Sequence, residues 1–128
     1  MKRKKSMARI LMVWGVLMVL PWSGAAAQQT ERILSFESHI RIQTDGSMTV
    51  TETISVYAAG QQIQRGIYRD FPTRYKDRLG NPVRVGFEVL EVLRNGQPEA
   101  FHLKKTGNGI RVYIGQKNRM VGTGHHVY

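Results

Sequence analysis

The chain has 128 residues, with 19 Lys and Arg against nine Asp and Glu, four His and no Cys, for a formal net charge of +10. Without cysteine there is no disulfide framework, no thiolate chemistry and no Cys-ligated metal site. The length admits one domain with one core and excludes two.

Charge is unevenly placed. Lys2, Arg3, Lys4, Lys5 and Arg9 open the chain with no acid among them, and Ile10 to Trp22 carry no charge. That is the basic and apolar order of a secretory signal. As a helix, the apolar run reaches only about 20 Å, short of the ~30 Å hydrocarbon core. Pro21 ends it, and Ser23 to Ala27 supply small residues for a signal peptidase, so cleavage is expected between Ala27 and Gln28. An uncleaved anchor is the alternative. The expected division is a signal helix over 1–27 and an extracytoplasmic domain over 28–128, whose net charge falls to +5 because the signal holds five of the 19 bases and none of the acids.

From Leu34 the chain alternates with period two, the mark of a half-buried strand. Leu34, Phe36, Ile40 and Ile42 share one parity, and after Thr44-Asp45-Gly46 the pattern resumes as Met48, Val50, Ile54 and Val56. A three-residue turn with Gly46 left-handed pairs Ile42 with Met48, Ile40 with Val50, Phe36 with Ile54 and Leu34 with Val56. A two-residue turn would set apolar against polar residues on every rung. Ser38 then faces Glu52, which is expected to stay wet at a sheet margin.

Ile63 to Phe71 reads as a short strand stopped by Pro72, and Thr73 to Pro82 as a polar surface loop. Val83 to Arg94 and Gln97 to Lys104 flank Asn95-Gly96, a hairpin signal that sets Leu90 against Phe101. Ile110 to Ile114 is a further strand, and Gly115 to Gly124 a loop. His125 to Tyr128 open a strand for which no partner is evident, as if the chain stopped inside its domain. No helix is expected after the signal. Six to seven short strands with glycine turns point to an all-β, antiparallel, immunoglobulin-like β-sandwich, with an open barrel second.

Gly66 to Pro72 (GIYRDFP), with Asp45 to Thr53 before it and Ile110 to Gly115 and Gly124 to Tyr128 after it, resembles the N-terminal region of a family of predicted bacterial membrane proteins, domain of unknown function 2207. The resemblance covers the whole mature chain. It implies a signal peptide and an extracytoplasmic β-rich domain, followed further on by transmembrane helices and a glycine-rich tail. It brings no established reaction with it.

Arg69 and Asp70 are adjacent on a strand, so their side chains leave opposite faces and each needs its own partner. Tyr68, Arg69, Asp70 and Phe71 are the candidate binding residues. The competing reading is that Arg69 and Asp70 only fix the loop. On the binding reading, Arg69→Ala is expected to weaken partner binding without lowering the melting temperature.

His39, His102, His125 and His126 lack metal-ligand spacing, and the serines lie in or beside the first hairpin, away from an obvious base. No cofactor, metal or catalytic residue is expected, and on address no nucleic-acid partner is expected either. Arg65, Arg69, Arg74, Lys76 and Arg78 form a basic stretch, interrupted by Asp70 and Asp77, that could meet anionic polymer or lipid headgroups. The expected function is a binding domain of a membrane-anchored envelope protein, held at the membrane by its signal or by downstream helices. The alternative is the N-terminal part of an envelope enzyme whose catalytic residues lie beyond Tyr128.

Overall fold

The computed structural model of the chain describes residues 29–128. The expected signal segment over 1–27 and its expected cleavage between Ala27 and Gln28 lie outside the described residues.

Strands β1 (Arg32–Ile42) and β2 (Met48–Ala58) form a long antiparallel hairpin. Its turn is the three-residue one that Asp45-Gly46 dictates. The Gly46 amide donates to the Gln43 carbonyl (3.1 Å), the Gln43 amide donates to the Ser47 carbonyl (2.8 Å), and Gly46 sits at φ +83°. The Ser47 hydroxyl and amide both donate to Asp45 Oδ1 and hold its carboxyl below the ordinary value. The pairs Ile42–Met48, Ile40–Val50 and Phe36–Ile54 are as the alternation requires. One rung differs. A bulge between Ile33 and Ser35 sets Ile33, not Leu34, opposite Val56, because an extra residue in one strand moves the parity of everything beyond it.

Strand β3 (Gly66–Pro72) coincides with GIYRDFP. Its first residue must be glycine: Gly66 has φ +133°, and a Cβ there would lie 1.8 Å from the Ile114 carbonyl oxygen. A second hairpin follows where a loop was expected. Strands β4 (Arg74–Lys76) and β5 (Pro82–Arg84) pair Tyr75 with Val83. Their turn repeats the chemistry of the first, with Asp77 N donating to Asn81 O (2.9 Å), Gly80 N donating to Asp77 O (3.0 Å) and Gly80 at φ +86°.

The predicted strand over Val83 to Arg94 is mostly irregular. The apolar parity of Val83, Val85, Phe87 and Val89 switches at Leu90 and Val92, so no single strand could bury both sets. Strands β6 (Leu93–Arg94) and β7 (Gln97–Pro98) flank the expected Asn95-Gly96 turn, with both turn residues at positive φ. The hairpin ends one rung further on, where Glu99 N donates to Val92 O (2.9 Å). Leu90 is exposed, and Phe101 opposes Ile114 instead, because β8 (Phe101–Lys105) has left for the edge of β9 (Gly109–Gly115).

The last strand, β10 (Gly124–Val127), corrects the expectation that it lacks a partner. It pairs antiparallel with β2, and Tyr128 and Ile54 exchange both backbone hydrogen bonds.

The architecture is all-β and antiparallel. Sheet order is β1-β2-β10 in one layer and β3-β9-β8 in the other, with the two short ribbons β4-β5 and β6-β7 attached. The layers meet where Ile54, Val56 and Tyr128 pack against Ile63, Ile67 and Ile114. This core is small and lies toward one end. Farther along the same face, Ile40, Ile42 and Met48 are 61%, 74% and 59% exposed, so the distal half of the β1-β2 hairpin projects beyond the second layer.

Candidate functional site

Because β3 is a strand, its side chains alternate, and the structure divides the four candidate residues between two environments. Arg69 and Phe71 are half-buried and face the other sheet, whereas Tyr68 and Asp70 are exposed on the outer surface.

On the inner side, Arg69 reaches across to β2 and grips Glu52 in a bidentate pair, Nε to Oε2 at 2.6 Å and Nη2 to Oε1 at 2.8 Å. Phe36 and Phe71 flank the guanidinium, their ring centroids 4.9 and 5.8 Å from it. Glu52 is therefore not a wet marginal carboxylate. Its side chain is 16% exposed and is the inter-sheet partner of Arg69. A planar fork suits this position, since it satisfies both carboxylate oxygens while its faces contact aromatic rings. The pair closes one side of the small core as a clamp between layers.

Beside the clamp, between β1 and β3, runs an open cleft of about 390 Å³, with Ile33, Phe36, Ile63 and Ile67 on its walls. Glu31 anchors its far rim by accepting hydrogen bonds from the amides of Ala59, Gln62 and Ile63.

On the outer side, cross-strand register builds two adjacent rungs. The first is Tyr68 on β3, Tyr113 on β9 and His102 on β8. Tyr113 and His102 stack with centroids 4.7 Å apart and planes 6° from parallel, and Tyr68 lies 6.0 Å from Tyr113 at a tilt of 48°. The second rung is Asp70, Arg111 and Lys104. Arg111 donates Nε to Asp70 Oδ1 (2.6 Å) and Nη2 to Oδ2 (2.7 Å), and its guanidinium lies 4.2 Å from the Tyr68 ring centroid. These hydrogen bonds hold the Asp70 carboxyl below its ordinary value. A shallow pocket of about 180 Å³ adjoins this rung, between Asp70, Pro72 and Asn108.

Arg69 and Asp70 thus find separate partners, as strand geometry requires, and those partners are charged side chains. Tyr113, His102 and Arg111 complete the outer surface, and none of them was among the candidate binding residues read from the sequence. The alternation in Ile110 to Ile114 placed Arg111 and Tyr113 on one face, but which strand lay beside them depends on long-range pairing.

The basic stretch does not gather into one patch. Arg69 turns inward to Glu52, Arg74 donates to the Gly107 carbonyl (3.1 Å), and Lys76 and Arg78 ride on the β4-β5 ribbon. Histidines diverge in the same way: His126 bonds the Gly122 carbonyl (2.7 Å), whereas His125 bonds Ser55 Oγ (2.5 Å), which corrects the expectation that the serines lie away from a base, because β10 pairs with β2 and brings the two together. Among the described residues, no three His, Cys, Asp or Glu side chains come together as a metal site, and no helix is long and apolar enough to cross a membrane.

The class this domain belongs to is a family whose model, "predicted membrane protein (DUF2207) N-terminal domain", matches residues 32–128; the chain is a member of that family. Among individual proteins, it is similar to the uncharacterized protein YciQ of Escherichia coli K12, with 31% identity over 98 residues. The match covers 77% of this chain and 16% of that protein, so the chain spans about one sixth of its relative's length. No solved structure matches significantly.

Proposed function

We propose that this domain is a non-catalytic, extracytoplasmic interaction module of a membrane-anchored envelope protein, and that it meets its partner through the outer face of the β3-β9-β8 sheet. The observation that carries the reading is the Tyr68–Tyr113–His102 row. Three rings on one open rung form an apolar platform, with Tyr113 and His102 stacked on each other so that their edges are what a partner meets, and the neighbouring Asp70–Arg111 pair offers directed hydrogen-bond groups beside it. Tyr68 is 55% exposed, so its ring is open to a partner. Membrane association is supported by the family; the outward orientation is supported by the basic, apolar and small-residue order of residues 1–27.

Two measurements test the proposal. A phosphatase reporter fused after residue 128 is active only outside the cytoplasm, and an inactive fusion with normal expression refutes the address. For the surface, binding to isolated cell-wall glycan and to anionic lipid vesicles is compared between the parent chain and Tyr113→Ala. Loss of binding to either probe with unchanged folding supports the platform, and unchanged binding to both, or none by the parent chain, refutes it.

A further inference from the structure

The open edge of the first sheet carries a pattern that its own molecule does not use. Strand β1 is the terminal strand in the order β1-β2-β10. The opposite edge is partly occupied, since Asn95 N donates to Val127 O (2.7 Å) and Val127 N donates to Asn95 Oδ1 (2.8 Å). On β1, the Gln43–Ser47 bond fixes which residues point inward. By the alternation of an antiparallel ladder, the backbone groups of Arg41, His39 and Glu37 face β2, and those of Ile42, Ile40, Ser38 and Phe36 face outward. Among the described residues no hydrogen bond takes up the outward groups. The strand is unbulged from Ser35 to Ile42, so this outward ladder is regular.

Charge selects what pairs with it. Glu37 and Arg41 are exposed, lie on one face, and make no ion pair among the described residues; within the molecule they oppose Thr53 and Thr49. Antiparallel pairing of β1 with itself about a twofold axis has several face-preserving registers. An axis at Glu37 or at Arg41 sets like charges against each other. An axis at Ser38 or Ile40 sets His39 against one of them. An axis at His39 alone opposes Glu37 to Arg41 of the second copy and Arg41 to its Glu37. These are non-hydrogen-bonded pairs, where side chains approach most closely. The same register opposes Phe36 to Ile42 of the second copy, and so lays the exposed Ile42 at the mouth of the cleft lined by Ile33 and Phe36.

We propose that a second copy of this chain docks on the β1 edge, forming an antiparallel β1–β1 pair centred on His39. The two three-stranded sheets join into one, and the apolar hairpin end of each copy covers the cleft of the other. The interface is narrow, and it produces a reversible dimer with a dissociation constant in roughly the micromolar range.

The test uses the chain as recovered from expressing cells, by sedimentation equilibrium. Glu37→Arg places two like-charged pairs across the axis and is expected to weaken dimerisation by about tenfold, as is Arg41→Glu. The double exchange Glu37→Arg with Arg41→Glu restores opposite charges and is expected to recover dimerisation, with thermal melts confirming that every variant folds. Because the chain has no cysteine, register is read separately. His39→Cys faces its own copy at about 4.5 Å between Cα atoms and cross-links on mild oxidation, whereas Glu37→Cys faces Arg41 and does not. A parent chain that stays monomeric at about 100 µM, a double exchange that fails to recover, or a Glu37→Cys variant that cross-links as fast as His39→Cys each overturns the proposal.

Discussion

Removing the Arg69–Glu52 clamp is expected to loosen the two layers, and its magnitude follows from where the pair sits. Breaking a fully buried ion pair by deleting one partner costs about 3–5 kcal/mol, and an exposed pair contributes about 1 kcal/mol or less. With side chains 33% and 16% exposed and both hydrogen bonds charge-assisted, this pair falls between. Arg69→Ala is therefore expected to cost about 2 kcal/mol, part of it from lost contact with Phe36 and Phe71. For a domain of this size that is roughly a 10 °C fall in melting temperature. Glu52→Ala should cost a similar amount, because it strands the guanidinium. In chemical denaturation the double variant should be less unstable than the sum of the two, with a coupling of about 1 kcal/mol or more. A coupling below about 0.3 kcal/mol, or single variants that melt with the parent, would show that the layers do not depend on this contact. The binding reading expected Arg69→Ala to leave the melting temperature alone; the position of Arg69 between the sheets reverses that expectation, and Tyr68 and Tyr113 become the substitutions that probe the surface without opening the core.

Gly66→Ala should destabilise by about 3 kcal/mol or more, because the new Cβ meets a backbone oxygen at a φ that L residues avoid, whereas Gly86→Ala, with open space around it, should be within about 0.5 kcal/mol of neutral. Urea titration of both variants checks the contrast, and equal effects would refute it. Tyr128→Phe should be neutral or stabilise by up to about 1 kcal/mol, since the buried Tyr128 hydroxyl has no hydrogen-bond partner among the described residues; a loss of stability would show that the hydroxyl is satisfied after all. Asp70 should titrate below the ordinary carboxylate range because Arg111 donates to its ionised form. Its contribution to stability is then present above the unfolded-state pKa and is lost as pH falls through the lower folded value. Carboxyl NMR titration of the parent chain and of Arg111→Gln checks this, the variant moving Asp70 back up; an unmoved midpoint would refute the cause.

Much of the fold was legible because its signals are local. Period-two alternation in Leu34 to Ile42 and Met48 to Val56 sets faces, and Asp45-Gly46 sets the turn, so most of the first hairpin's register followed from a dozen residues. Asn95-Gly96 worked in the same way. The β4-β5 ribbon was missed although Gly80 makes the same turn as Gly46, because Lys76, Asp77, Arg78 and Asn81 surround it with the polarity of a surface loop. Leu34 was misplaced by one bulged residue, and Val83 to Arg94 was overextended across a parity switch.

What residues 29–128 determined by themselves is what each strand can offer: its two faces, its turns, and the opposed directions of Arg69 and Asp70. Tertiary structure decided who stands opposite. That Arg69 meets Glu52, that Arg111 meets Asp70, that Tyr113 lies between Tyr68 and His102, and that β10 finds β2 all depend on which strands lie side by side. Partner choice between distant segments is set by the packing of the whole core, and neither period nor turn chemistry encodes it. The outer face was therefore half visible, through Tyr68 and Asp70, until the sheet supplied the other half.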